Sequence, residues 1–319
     1  MNQTLANVTT DDSEIPMSEK EFAEIVIRLV GGEMMLVSFL GLSINLFMMH
    51  HFSKLEKNSF YILCLAKTMS NCVSLLIYFC YAGPVNLLFT QIGPCALDEY
   101  LNHILGFGLT LQGPIIQCMV TINRFLVLWF SPVSIPSSSF KITVIAILIS
   151  WVWTAWVGTL VGLPDDCRVS FGFDHVDCPA YSECAEKITF YQSFAIFGLA
   201  IGTNFLNVLI AIKLFCMAKA LKAMSSSAAK DRRKLSIRFF LQSCCQDWVL
   251  VLDYVNNQIA STTCETWMCS TSWTMGVDVM VYGLDGLVMF LFSRNVDSKE
   301  TSSSRKNTRS HDEVPVTIT

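Results

Sequence analysis

Seven mostly apolar stretches, each of roughly 20 or more residues, follow one another along this chain, and nothing else restricts its fold as tightly. They lie near Ile25–Met49, Phe60–Tyr81, Tyr100–Phe130, Ile142–Leu163, Ile188–Phe215, Ile237–Ala260 and Trp267–Phe292. Each is about the length a helix needs to cross a ~30 Å hydrocarbon core. The expected fold is therefore an all-α membrane protein, a bundle of seven transmembrane helices. Charged residues make up 15% of the chain, against about 25% in soluble domains, which excludes an ordinary globular enzyme. No internal repeat of solenoid period is present, and the first ~24 residues are polar and acidic rather than signal-like. The expected organisation is an outer tail over 1–24, the bundle over 25–292 and an inner tail over 293–319.

Charge sets the expected orientation, because basic residues near membrane ends favour the cytoplasm. Between spans five and six stand Lys219, Lys222, Lys230, Arg232, Arg233, Lys234 and Arg238, with Asp231 the only acid. The last tail adds Arg294, Lys299, Arg305, Lys306 and Arg309. The opposite loops carry Asp98, Glu99, Asp165, Asp166, Asp174, Asp177, Glu183 and Glu186. An odd number of spans then puts the N-terminus outside and the C-terminus in the cytoplasm. Asn2-Gln3-Thr4 and Asn7-Val8-Thr9 are glycosylation sequons on that outer tail, with Asn2 and Asn7 as acceptors. Cys95, Cys167, Cys178, Cys184, Cys264 and Cys269 also fall in or beside outer loops, where the compartment is oxidising. Pairing is not fixed by sequence. The expectation is Cys95 with a cysteine of the loop 163–187, and Cys264 with Cys269. Cys64, Cys72, Cys80, Cys118, Cys216, Cys244 and Cys245 lie in spans or at their inner ends and are expected to be small packing residues.

No catalytic, metal-binding or cofactor-binding pattern is present: there is no H-E-x-x-H, P-loop, G-x-G-x-x-G, G-x-S-x-G or paired C-x-x-C. No nucleic-acid partner is expected. His50, His51, His103, His175 and His311 read as interfacial or solvated. Polar residues within spans are costly and mark function or an interhelical network. Gln242, Gln246 and Asp253 of span six share a helix face at i, i+4 and i+11, with Asp247 beside them; Asp278 and Asp285 repeat at i, i+7 in span seven. Span one adds Arg28, Glu33 and Asn45, span two Lys67 and Asn71, and span five Asn204 and Asn207. Such a set serves either to tie helices together or to form a hydrated core that binds an ion or repacks. Lys67 is expected to neutralise an acid such as Asp285. The basic inner loop either fixes topology and touches anionic lipid or docks a partner. Ser225-Ser226-Ser227 and Ser302-Ser303-Ser304 read as flexible, phosphorylatable runs.

Four groups of residues resemble nematode seven-transmembrane chemoreceptors, and among them serpentine receptor class X. They are Gly41-Leu42-Ser43-Ile44-Asn45; Asn58 to Ala66 with Asn71; Thr121-Ile122-Asn123-Arg124-Phe125 with Pro132; and Arg232-Arg233-Lys234, Phe240-Leu241-Gln242 and Gln246-Asp247 together with Leu284 to Phe292. The resemblance implies a rhodopsin-like G-protein-coupled receptor. It would bind an external small molecule of unknown identity and activate a heterotrimeric G protein, using no cofactor. Its place would be the plasma membrane, a sensory cilium being one candidate, with the lipid bilayer as its surroundings. Asn123, Arg124 and Phe125 would correspond to the Asp-Arg-Tyr coupling element, with Arg232, Arg233 and Lys234 beside it. Asn123 replaces the acid that pairs with the arginine in that element, so the resting state must be held by something else. Span seven has Leu284-Asp285-Gly286 in place of Asn-Pro-x-x-Tyr. Cys95 lies about one helical turn farther from Arg124 than the family's cysteine, which counts against its usual disulfide. The acidic outer loops favour a non-anionic ligand. The competing reading is a polytopic transporter or channel using Asp247, Asp253, Asp278 and Asp285 along a path.

Overall fold

In lipid a backbone must satisfy its own polar groups, and this chain does so with helices. The computed structural model describes residues 17–55, 58–130, 139–159, 167–173, 175–179, 181–221, 227–264 and 267–309. Asn2, Asn7, Pro132, Asp165, Asp166, Asp174 and His311 lie outside them, as do the side chains of Arg232 and Arg233. Seven long helices account for nearly all of the described chain: α1 (Met17–Lys54), α2 (Ser59–Leu88), α3 (Cys95–Trp129), α4 (Ser139–Gly158), α5 (Glu183–Leu221), α6 (Ser227–Thr263) and α7 (Trp267–Arg309). All seven overrun the expected spans at one or both ends, and α4 stops short of its expected end at Leu163. The C-terminal end of α7 continues through Ser302-Ser303-Ser304 as helix, where a flexible run was expected. Among the described residues six of the seven are long and apolar enough to cross a membrane. The exception is α6, whose apolar run is broken by Gln242, Gln246, Asp247 and Asp253, the first three of them buried in the bundle.

Local sequence explains the shape of α2 and α3. Asn58 caps α2, its Oδ1 accepting the Tyr61 N–H at 3.0 Å. Pro84 has no N–H and its ring excludes a normal helical turn. The wide turn Tyr78–Ala82 absorbs the break, with Gly83 N–H donating to Tyr78 O. In α3 a second wide turn, His103–Leu109, precedes Pro114.

The helices close into a ring: α1 meets α2 and α7, α7 meets α6, and α6 meets α5. α3 runs through the middle, touching α2, α4, α5 and α6. Close approach depends on small residues, as is usual in membranes. A Cβ on Gly108 of α3 would sit 3.1 Å from Thr154 O and 3.2 Å from Gly158 Cα of α4. Large apolar side chains such as Leu29, Phe39, Val152 and Phe205 are exposed on the ring's outer surface, the face that meets hydrocarbon. Of the cysteines expected to be small packing residues, Cys80, Cys216 and Cys245 lie exposed as well, and Cys64 is buried. A small thiol tolerates lipid as well as a core.

At one end the loop after α4 folds down into the bundle, burying Val169, Phe173 and Val176. Disulfides pin it: Cys95–Cys178 joins it to the start of α3, and Cys167–Cys184 joins it to α5. Cys95 is paired despite its distance from Arg124 along the sequence. Cys264–Cys269 closes the turn between α6 and α7.

Candidate functional site

Lys67 sits at the centre of the bundle with its side chain only 3% exposed. A buried ammonium needs acceptors on every proton it can place. Lys67 Nζ lies 2.9 Å from Asp285 Oδ1 of α7 and donates to Gln117 Oε1 of α3 at 2.6 Å. Asp285 is satisfied by three side chains from two helices: besides Lys67, Gln246 Nε2 of α6 donates to Oδ1 at 2.9 Å, and Asn71 Nδ2 of α2 to Oδ2 at 2.7 Å. Asn71 also reaches Asn45 Oδ1 of α1 at 3.3 Å, and Asn45 Nδ2 donates to Tyr282 O of α7 at 3.3 Å. Gly286 makes room for this, since a Cβ there would collide with the Asn45 amide. One polar cluster thus joins α1, α2, α3, α6 and α7 through charge-compensated hydrogen bonds.

The remaining acids separate into two further groups. Asp247 adjoins Gln246 in sequence but turns about 100° away, toward α5, where its Oδ2 accepts from Asn207 Nδ2. Asp253 and Asp278 face each other nearer the disulfide-bridged end, bridged by Asn257 Nδ2 at 3.5 and 3.2 Å. Asn204 bonds back to its own helix at Ala200 O. Arg28 and Glu33 stay out of the network: Arg28 pairs with Glu24 at 2.7 Å and Glu33 is exposed.

Toward the other end of α3, Arg124 is 8% exposed. Among the described residues its Nε, Nη1 and Nη2 have no hydrogen-bond partner. Its charge lies instead under aromatic rings, 4.8 Å from the Phe60 centroid of α2 and 5.9 Å from that of Phe239 of α6. Those two rings touch each other at 4.6 Å. A cation over desolvated ring faces is held by about 2 kcal/mol or more. The groups that cover Arg124 are therefore aromatic, and they come from two helices. Phe125 turns away and stacks on Trp129 at 5.3 Å, Asn123 is half-buried, and Lys234 is exposed. Gln242 Nε2, in the same N-terminal half of α6 as Phe239, is also buried with no acceptor among the described residues.

Sequence reading missed Gln117, Phe60, Phe239 and Asn257. Gln117 had a signal: it stands seven residues before Arg124, on the same face of α3. It joins Lys67 on one side and Ser243 Oγ of α6 at 3.1 Å on the other. Two histidines read as interfacial or solvated are not so. His103 is fully buried and accepts the Val169 N–H at 3.2 Å. His175 stacks between Phe89 at 4.4 Å and Phe173 at 5.8 Å, with Nε2 donating to Val85 O at 3.2 Å. Burial holds the His175 imidazole below its ordinary value, against smaller opposing effects of the Val85 carbonyl and Asp98. Both rings serve to seat the outer loop on the helix ends.

Comparison with known proteins agrees with this architecture. Residues 35–293 match the family model described as serpentine type 7TM GPCR chemoreceptor Srx. Among solved structures the chain is similar to squid rhodopsin, with a TM-score of 0.63 at 13% identity, covering 92% of this chain and 93% of that one. At that identity the likeness concerns the fold alone. No curated protein matches the chain.

Proposed function

Because the chain belongs to the Srx family of serpentine seven-transmembrane chemoreceptors, we propose that it binds an external chemical and activates a heterotrimeric G protein. The observation that carries this reading is Arg124, a buried guanidinium with no acceptor among the described residues, covered by rings from α2 and α6. Orientation follows from chemistry. The Cys95–Cys178 and Cys167–Cys184 bridges belong in an oxidising compartment, so the loop end faces outside and the Arg124 end faces the cytoplasm. Glycans on Asn2 and Asn7 fit the same orientation, and the plasma membrane, including that of a sensory cilium, is the expected location.

α6 is the element that can change state. Its inner half contributes Phe239 to Arg124, Ser243 to Gln117, Gln246 to Asp285 and Asp247 to Asn207. A ligand that binds better when this helix is displaced shifts the equilibrium by that difference in affinity. Displacement lifts Phe239 from Arg124 and opens an inner cleft. Arg124 and Gln242 are then donors without acceptors, and the end of a helix has carbonyls without donors. A G-protein helix entering the cleft, alongside Arg232, Arg233 and Lys234, completes both.

The test is second-messenger output in cells expressing an epitope-tagged receptor. Arg124→Ala abolishes ligand-evoked signalling at unchanged surface expression, and Phe239→Ala raises ligand-independent signalling. Full signalling by Arg124→Ala overturns the reading.

A further inference from the structure

The contact between α3, α5 and α6 is incomplete and leaves a cavity of about 520 Å³, within the range of small-molecule sites. Pro114 and Gln117 of α3, Ala200 of α5, and Asp247, Val251 and Tyr254 of α6 are among its walls. Most of the lining is apolar, and Asp247 is its one charged residue among those described.

The hydrogen bonding around Asp247 is lopsided. Asp247 is 3% exposed; its Oδ2 accepts from Asn207, but its Oδ1 has no donor among the described residues. Asn207, 5% exposed, has spent its amide on that bond and its own Oδ1 also lacks a donor. The neighbouring donors are committed elsewhere: Thr203 Oγ to Leu199 O and Ala200 O, Asn204 Nδ2 to Ala200 O, and Gln117 Nε2 to Ser243. Among the described residues Asp247 thus brings to the cavity a buried acceptor oxygen with no hydrogen bond, and the unbonded Asn207 Oδ1 belongs to its partner. Buried acceptors without donors are costly, and a guest supplying an N–H or O–H relieves that cost. An anionic guest meets Asp247 and is repelled.

Access is also legible. Phe197 and Tyr254 stack at 5.8 Å and line both this cavity and a second one of about 540 Å³ beneath the outer loop. That pair stands between the Asp247 cavity and the outer mouth. The rim residues Ile201, Phe205, Val208 and Val255 are exposed on the ring's outer face, where lipid lies. An apolar guest partitions into the bilayer and meets this rim from the side.

The geometry points to a ligand subsite in the α3–α5–α6 cavity for a small, mostly apolar, non-anionic molecule bearing one N–H or O–H donor, which binds Asp247 and enters between α5 and α6. This deepens the receptor reading and rests on it for its consequence, since a guest there bears on the helix that carries Phe239.

The test uses four probes of one shape, 2-phenylethanol, 2-phenylethylamine, ethylbenzene and phenylacetate. Binding to the full-length receptor in nanodiscs is measured by saturation-transfer NMR, with empty nanodiscs recording lipid partition. The alcohol and the amine bind saturably, at least about tenfold more tightly than the other two, a difference of about 1.4 kcal/mol. Asp247→Leu erases the preference among the four, and Ala200→Trp, which fills the cavity, removes saturable binding at unchanged thermal stability. Equal binding of alcohol and hydrocarbon, absence of saturable binding, or binding untouched by both variants overturns the subsite. GTPγS exchange on an added G protein separates the two readings. Binding without exchange leaves the subsite and counts against the receptor reading. Exchange evoked by a compound insensitive to both variants leaves the receptor reading and removes the subsite.

Discussion

At the scale of single residues, this protein keeps charges in a membrane interior by two different means. Arg124 is screened by rings, whereas Lys67 is neutralised by Asp285 and hydrogen-bonded to Gln117. The second arrangement is brittle, because removing one partner leaves the other charge buried and uncompensated. Lys67→Met therefore costs about 3–5 kcal/mol, read as a fall in the melting temperature of the purified receptor. Lys67→Met combined with Asp285→Leu recovers part of that loss, since the pair is then absent rather than broken. A double variant no more stable than Lys67→Met shows that Asp285 is not the partner that matters. The Lys67–Asp285 pairing was legible in the sequence because one cation stood among several acids. The cover over Arg124 was not, because rings distant in sequence supply it and phenylalanines are common in every span.

At the scale of elements, helices in lipid approach one another by fit more than by hydrophobic drive. α1 and α2 cross at Gly31 and Gly83, and a Cβ at Gly31 would lie 2.8 Å from Gly83 O and collide with the backbone of Leu87. Gly198 of α5 has nothing within 4 Å of the same position. Gly31→Ala is expected to cost about 1–3 kcal/mol as an overpacked contact. Gly198→Ala is neutral or slightly stabilising, because alanine favours helix. Thermal unfolding of the two variants side by side checks the contrast, and equal melting points refute it. The sequence located all seven helices, since apolar length is a strong local signal. Their true ends were less legible: charged and polar residues continue α5, α6 and α7 beyond the hydrocarbon, where water satisfies them.

At the scale of the whole molecule, the outer loop joins helices that are otherwise far apart in the chain. His175 is one of its anchors, set among Phe89, Phe173 and the Val85 carbonyl, its Nδ1 without a hydrogen bond among the described residues. Its folded value lies below the ordinary 6.5, so the unfolded loop takes up a proton first as pH falls. The stability this ring contributes is full above about pH 6.5 and declines through the range below it. Hydrogen exchange of the loop amides should therefore quicken between pH 7.5 and 5.5 (roughly one unit either side of that value), after correction for the intrinsic rate. His175→Phe should flatten the dependence; an identical slope in that variant removes His175 as its cause. By itself the sequence determined the seven helices, their polar faces and the side on which cysteines could pair. Each of these follows from local composition and from the physics of a bilayer. Only tertiary structure decided the partners: Cys178 for Cys95, Asn207 rather than the central cluster for Asp247, and rings rather than an acid for Arg124. Which side chains meet across the bundle depends on how helices rotate and cross, and no local pattern encodes that.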